Sequence, residues 1–96
     1  MIKRRYPEAP ISAVAALIVQ DGQVLLTLRL NPPHAGRWSF PGGVHELGET
    51  LEAAVQREIC EETGLAVGDL CLLDVGDLLF YDDEGRVEYH YVITYF

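Results

Sequence analysis

Basic residues are scarce in this sequence. Its 7 lysines and arginines stand against 15 aspartates and glutamates, which gives a formal net charge of -8 at pH 7. A chain with this charge repels polyanions, and Lys3, Arg4 and Arg5 form no more than a short basic cluster near its start. We therefore expect no extended nucleic acid among its partners.

Cysteines and long apolar runs are also lacking. Cys60 and Cys71 are the two cysteines, and they do not have the paired spacing of a zinc site. No apolar run approaches the roughly 20 residues that a membrane helix needs, and no signal peptide is recognisable. We expect two reduced thiols, no membrane partner and a soluble, cytoplasmic protein.

The length of 96 residues, with 49% hydrophobic residues, predicts a single domain over residues 1–96. Its strands are expected at residues 12–19, 24–30, 38–40, 70–81 and 87–96. Asp21-Gly22 predicts a hairpin turn, and Pro41-Gly42-Gly43 is expected to interrupt regular structure. Thr50 and Gly64 are suited to cap the two ends of a helix that continues to Thr63.

The predicted helix has an unusual inward side. At 100° per residue, its apolar positions fall on one side, at Leu51, Ala54, Val55 and Ile59. Glu58 and Glu62 project in the same direction, and Glu61 lies beside them. Carboxylates at this spacing repel one another, and a hard divalent cation such as Mg²⁺ or Mn²⁺ would relieve the repulsion. The alternative is a solvated acidic face with Arg57 as an ionic partner.

A specific motif surrounds these carboxylates. Gly43 is followed after five residues by Glu49, and after seven more by the run Arg57-Glu58-Ile59-Cys60-Glu61-Glu62-Thr63-Gly64-Leu65. This spacing matches every specified position of the Nudix box, and average residue usage gives such a match at roughly one in a billion start positions. The preceding segment, residues 36–43, is also similar to the approach to that box. The chain thus resembles the Nudix (MutT-like) hydrolases.

The resemblance implies a fold and a set of roles. The family's fold is α+β, with a mixed β-sheet in an α/β/α sandwich. By the family's pattern, Glu61 and Glu62 are the main ligands of Mg²⁺ or Mn²⁺, and Glu58 binds a metal or helps to deprotonate the attacking water. The carbonyl of Gly43 often adds a ligand. Arg57 and Glu49 would form a supporting pair that orients the catalytic helix.

The end of the sequence differs from the family's pattern. The apolar strand pattern is still running at Phe96, and we expect a further strand and a second helix of the family's fold to be missing from these 96 residues. An unpaired strand there invites association, so a homodimer through the C-terminal strand is one alternative to a simple edge strand.

Two functions remain open on the sequence. The first is a metal-dependent hydrolase of a phosphoanhydride bond in a small nucleoside-diphosphate derivative, such as an ADP-ribose-like compound or a nucleoside triphosphate. The second is a non-catalytic or weakly active nucleotide-binding module of the same fold.

Among the histidines, His45 alone lies in the box loop, where it has some chance of touching phosphate. Arg29, Arg37 and Trp38 could reach substrate near the same site, but solvated arginines and a buried tryptophan are the preferred interpretation.

Overall fold

The computed structural model describes residues 3–31 and 33–96. Four strands form its main sheet: β1 (Ile11–Ala15), β6 (Gly42–Val44), β7 (Asp74–Tyr81) and β8 (Val87–Tyr95). They lie in the order β6-β1-β8-β7. β1 pairs antiparallel with β6 and parallel with β8, and β7 pairs antiparallel with β8. The sheet is therefore mixed, as the family resemblance implied.

Two short hairpins lie between β1 and β6. The first joins β2 (Val19–Gln20) to β3 (Gln23–Val24), and the second joins β4 (Thr27–Leu28) to β5 (Trp38–Ser39). Asp21 and Gly22 both have positive φ, at 52° and 74°. Two such residues in succession make the type I′ turn that suits the twist of a hairpin. The turn predicted at Asp21-Gly22 is confirmed.

Helix α1 spans Leu51–Thr63 and has the predicted caps. The Thr50 hydroxyl accepts a hydrogen bond of 3.0 Å from the backbone N–H of Ala53. At the other end Gly64 adopts the left-handed conformation, with φ 74°, and its N–H donates to the carbonyl of Cys60. Each cap satisfies a backbone group that the helix itself leaves without a partner.

The helix packs on the face of the sheet to which Val14 belongs. The buried cluster between them comprises Val14, Ala16, Ala54, Val55, Ile59 and Phe96. Ala54, Val55 and Ile59 have no exposed surface, which confirms most of the predicted apolar side of the helix. Leu51 was wrongly placed in that group: it is 36% exposed, because the first turn of the helix extends beyond the cluster.

Several predicted boundaries are wrong. The strands expected at residues 12–19 and 24–30 are each divided into shorter pieces, since local turns and loop contacts replace the continuous ladders. The interruption expected at Pro41-Gly42-Gly43 is confirmed only at Pro41, which is a bend between β5 and β6. Gly42 and Gly43 instead pair with Ala15 and Val14, so that they form the edge strand β6.

The C-terminal strand is not the unpaired edge that the sequence suggested. β8 lies between β1 and β7 and is hydrogen-bonded to both, so its backbone offers no free edge for a second copy of the chain. A homodimer therefore has no support from an unpaired C-terminal strand, and the dimer itself stays a prediction. Within the described residues α1 covers one face, and the second helical layer of an α/β/α sandwich is not among them. That part of the chain also contains no helix with the length and apolar character of a membrane span.

Candidate active site

A pocket of about 730 Å³ lies on the face of the sheet opposite to the Val14 cluster. Its floor consists of apolar and aromatic residues of the main sheet, which include Ala13, Leu78, Tyr91 and Ile93. Residues of β4, the following loop and β5 form another wall. Such a volume lies in the range of small-molecule sites. Two glutamates of α1, Glu58 and Glu62, also line it.

The two glycines of β6 explain how side chains of α1 reach this pocket. A Cβ atom on Gly43 would lie 2.5 Å from the carboxylate of Glu58. A Cβ on Gly42 would overlap the backbone oxygen of Val14. Because Gly43 has no side chain, Glu58 lies close to the edge strand, and because Gly42 has none, β6 lies close to β1. The backbone of β6 thus becomes part of the pocket wall beside Glu58.

Glu58 and Glu62 lie one helical turn apart at the pocket. The side chain of Glu58 is only 14% exposed. One carboxylate oxygen of Glu62 accepts a hydrogen bond of 3.2 Å from the backbone N–H of Gly42. Burial raises the pKa of Glu62, and the negative charge of Glu58 adds to the effect, while the Gly42 N–H and the charge of Arg29 oppose it. Two negative charges thus lie together beside β6, one on the largely buried Glu58 and the other on Glu62, which is still exposed as a residue.

Arg57 connects helix α1, strand β6 and the loop before α1 beside Glu58 and Glu62. Its Nε and Nη2 donate to the two oxygens of Glu49 at 3.0 and 2.7 Å, which is a bidentate arrangement. Nη1 donates to Glu58 at 2.8 Å, and Nη2 also donates to the carbonyl of Val44 at 3.0 Å. These bonds raise the pKa of Arg57, chiefly through Glu49, and the pKa of Glu49 falls to about 2, chiefly through Arg57. The guanidinium therefore fixes Glu58 relative to β6 and to the loop before α1.

Glu61 lies farther from the pocket than its two neighbours. Its side chain is 59% exposed, and its nearest ionic contact is Nη1 of Arg57, at 3.4 Å. It is not among the residues that line the pocket. In the described part of the chain, no three side chains of His, Cys, Asp or Glu converge closely enough to form a ready metal site. The structure thus brings together Glu58, Glu62 and the backbone of Gly43.

Arg29 is a pocket residue, although the sequence interpretation preferred a solvated arginine at this position. It lines the pocket and is half-buried, and its Nε is a buried nitrogen without a hydrogen-bond partner in the described residues. Burial alternates along residues 27–30, with Thr27 and Arg29 less exposed than Leu28 and Leu30. In the sequence the apolar residues of this alternation are Leu28 and Leu30, so a period of two would have placed the leucines inward, and it gave no signal for an inward-facing arginine. Trp38, expected to be buried, is 66% exposed.

Two of the histidines, His34 and His45, differ in whether they line the pocket. His34 lines the pocket, and its ring meets that of Phe80 edge to face, with centroids 5.1 Å apart. His45 was the histidine expected to have some chance of touching phosphate. Its two ring nitrogens instead bond to Ser12 and to the carbonyl of Glu49, and it does not line the pocket.

The chain is similar in sequence to known proteins over most of its length. Residues 9–96 match the family model of the NUDIX domain. The sequence is 52% identical over 66 residues to a putative 8-oxo-dGTP diphosphatase 2 of Mycobacterium tuberculosis, covering 67% of this chain and 47% of that protein. It is 45% identical over 78 residues to an ADP-ribose pyrophosphatase of Methanocaldococcus jannaschii, covering 81% of this chain and 46% of that protein. The chain spans about half the length of these two relatives.

A solved structure shares the fold. The crystal structure of a MutT NUDIX hydrolase from Burkholderia pseudomallei superposes with a TM-score of 0.74 at 38% sequence identity. The superposition covers 92% of this chain and 67% of that one. The resemblance drawn from residues 43–65 and the expected α+β fold are both confirmed.

Proposed function

Because the chain belongs to the NUDIX family, we propose that it is a metal-dependent hydrolase of a phosphoanhydride bond in a nucleoside-diphosphate derivative. The observation that carries this proposal is the position of Glu58 and Glu62. Both carboxylates lie beside the glycine strand at one end of a pocket whose floor is apolar. This arrangement offers a polar end for a diphosphate and an apolar surface for the group attached to it.

Nudix hydrolases generally use divalent metal ions, and the residues at this site fit such an ion. Carboxylates and backbone carbonyls are the oxygen ligands that Mg²⁺ and Mn²⁺ prefer. Glu58 and Glu62 face the same partly buried region, where burial raises the pKa of Glu62. We propose that Glu58, Glu61, Glu62 and the carbonyl of Gly43 hold Mg²⁺ or Mn²⁺. When bound, the ion would neutralise phosphate charge and make a coordinated water more acidic.

The chain's own residues would then position the substrate and the attacking water. Glu58 is suited to accept a proton from that water, because its carboxylate lies at the pocket and its orientation is fixed by Arg57. Arg29 lines the same pocket, and its guanidinium carries a positive charge that suits it to bind a phosphate group. Arg57 and Glu49 support this geometry without touching the substrate.

The substrate would carry a nucleoside on the apolar side of its diphosphate. Proteins similar to this chain are named as an ADP-ribose pyrophosphatase and a putative 8-oxo-dGTP diphosphatase. Both names describe hydrolysis of a phosphoanhydride bond. We therefore propose ADP-ribose-like compounds as the first candidates and oxidised nucleoside triphosphates as the second.

The direct test is hydrolysis of a substrate panel with Mg²⁺, with Mn²⁺ and with excess chelator. The panel includes ADP-ribose, NADH, nucleoside triphosphates and dinucleoside polyphosphates. Glu58→Gln and Glu62→Gln should each lower kcat by at least about 100-fold. Glu52→Gln removes an exposed carboxylate from the first turn of the same helix and should retain activity. If the folded protein hydrolyses none of these compounds with either metal, the proposal is wrong for this chain.

The second candidate function is nucleotide binding without turnover. It is favoured by the exposure of Glu61 and by the absence of a ready three-residue metal cluster among the described residues. Calorimetry with ADP-ribose and Mn²⁺ distinguishes the two functions. Heat of binding with no product after prolonged incubation would support the binding module. Turnover that is abolished in Glu61→Gln would exclude it.

A further inference from the structure

His45 forms a polar link between β1 and the loop that precedes α1. It lies opposite Ser12 across the β1–β6 edge, and its backbone N–H donates to the Ser12 carbonyl at 3.0 Å. Its Nδ1 lies 3.0 Å from the Ser12 hydroxyl oxygen. Its Nε2 lies 2.6 Å from the backbone carbonyl oxygen of Glu49, four residues along the chain. The imidazole thus bridges a strand and a loop.

The partners of the ring determine its tautomer when it is neutral. A backbone carbonyl can only accept, so Nε2 must carry the proton that it donates to Glu49. Nδ1 then has a lone pair and accepts from the Ser12 hydroxyl, which can rotate to donate. The serine therefore favours the tautomer that holds the Glu49 carbonyl.

Glu49 is consequently fixed at both its backbone and its side chain. Its carbonyl is held by His45, and its carboxylate accepts two bonds from Arg57 and one of 2.9 Å from the N–H of Glu46. Arg57 in turn donates to Glu58 at the pocket. A continuous series of hydrogen bonds therefore runs from Ser12 to Glu58.

We propose that His45 is a positioning residue, which orients Glu58 through Glu49 and Arg57. This inference rests on the proposed hydrolase function for its effect on catalysis. His45 does not line the pocket and would not contact the substrate. Loss of its Nε2 donor would free the Glu49 carbonyl, loosen the bidentate pair and let Glu58 leave its productive orientation.

Three variants test the link. His45→Leu removes both ring nitrogens, whereas His45→Gln retains an amide N–H that can donate to the Glu49 carbonyl. Ser12→Ala removes the hydroxyl partner from an exposed position. Leu47→Ala is the matched control, because Leu47 is in the same loop and is fully exposed. For each protein we would measure kcat and KM, together with the solvent exchange rate of the Arg57 Nε–H by NMR.

We expect His45→Leu to lower kcat by about threefold to tenfold and to leave KM within about twofold of the wild-type value. The effect is moderate because His45 acts on Glu58 only through Glu49 and Arg57. Exchange of the Arg57 Nε–H should become at least about threefold faster, and His45→Gln should restore both quantities to within about twofold of the wild-type values. Ser12→Ala should give a smaller change in the same direction, and Leu47→Ala should give none.

The readouts separate the two proposals. If His45→Leu leaves kcat and the Arg57 exchange rate unchanged, the positioning role is wrong. Equal losses in His45→Leu and His45→Gln would also overturn it, because they would show that the retained donor does not matter. If the wild-type protein hydrolyses nothing, the proposed function fails, and the exchange rate of Arg57 in the variants still decides whether His45 holds the link.

Discussion

The close contact between Gly43 and Glu58 gives a sharp prediction for Gly43→Ala. The added methyl carbon would lie 2.5 Å from the carboxylate carbon of Glu58, whereas ordinary van der Waals contact begins at 3.4 Å. The carboxylate must therefore retreat by about 1 Å. It cannot do so without disturbing its 2.8 Å hydrogen bond from Arg57.

This displacement should reduce catalysis much more than stability. A misplacement of about 1 Å in a catalytic group can lower the rate by roughly 100-fold. Overpacking in proteins costs roughly 1–3 kcal/mol, and the low end, about 1 kcal/mol, applies here because the contacted atoms are at the end of a side chain. For a domain of this size that corresponds to a fall in Tm of about 4–8 °C.

The assay is steady-state hydrolysis of the best substrate at a temperature well below the Tm, with thermal unfolding measured on the same samples. Gly68→Ala is the matched control, because a Cβ at Gly68 has no atom within 4 Å. It should leave both kcat and Tm near the wild-type values. A folded Gly43→Ala protein with wild-type kcat would refute the claim that Glu58 must lie against the backbone of β6.

Three further predictions concern stability. Gly64→Ala places a side chain at φ 74° and should lower the free energy of unfolding by about 1–2 kcal/mol in chemical denaturation, whereas Gly68→Ala should not. Equal denaturation midpoints for the two variants would contradict this prediction. Ile59→Ala empties a fully buried position at the helix–sheet contact and should cost about 2–5 kcal/mol, against about 0.5–1.5 kcal/mol for Ile59→Val. If Ile59→Ala and Ile59→Val lost a similar amount of stability, the buried helix–sheet cluster would have to close around the space left by the alanine, and the predicted difference would be wrong. Burial raises the pKa of Asp82, but hydrogen bonds, first of all from the Arg86 N–H, outweigh it and lower the pKa from an ordinary 3.8 to about 2. The stabilisation that the ionised Asp82 provides is therefore present above pH 3.8 and is lost as the pH falls toward 2. Acid titration of unfolding should show a weaker pH dependence in this range for Asp82→Asn, and an unchanged profile would oppose the assignment.

Much of helix α1 could be predicted from the sequence because its determinants are local. The Thr50 and Gly64 caps involve hydrogen bonds over three or four residues, and the apolar side follows from the helical period. The same holds for the Asp21-Gly22 turn, where two adjacent residues with positive φ define the hairpin. The spacing of the motif around Glu58 and Glu62 was likewise sufficient to indicate the family.

Other features depended on contacts between distant parts of the chain. The sequence could not show that Gly42 and Gly43 pair with β1, since a Pro-Gly-Gly segment is locally typical of a turn. It also could not show that β8 lies inside the sheet, because strand order is set by which partners bury their faces together.

The sequence alone determined which residues could carry the chemistry, since helical spacing and capping are short-range properties. Only the tertiary structure decided which of them meet. It brought Glu58 and Glu62 to the pocket and left Glu61 largely in solvent. It also turned Arg29 into the same pocket. These outcomes depend on the position of the edge strand β6, with its two glycines, under one side of the helix. That position results from packing between distant parts of the chain, which the spacing of residues does not encode.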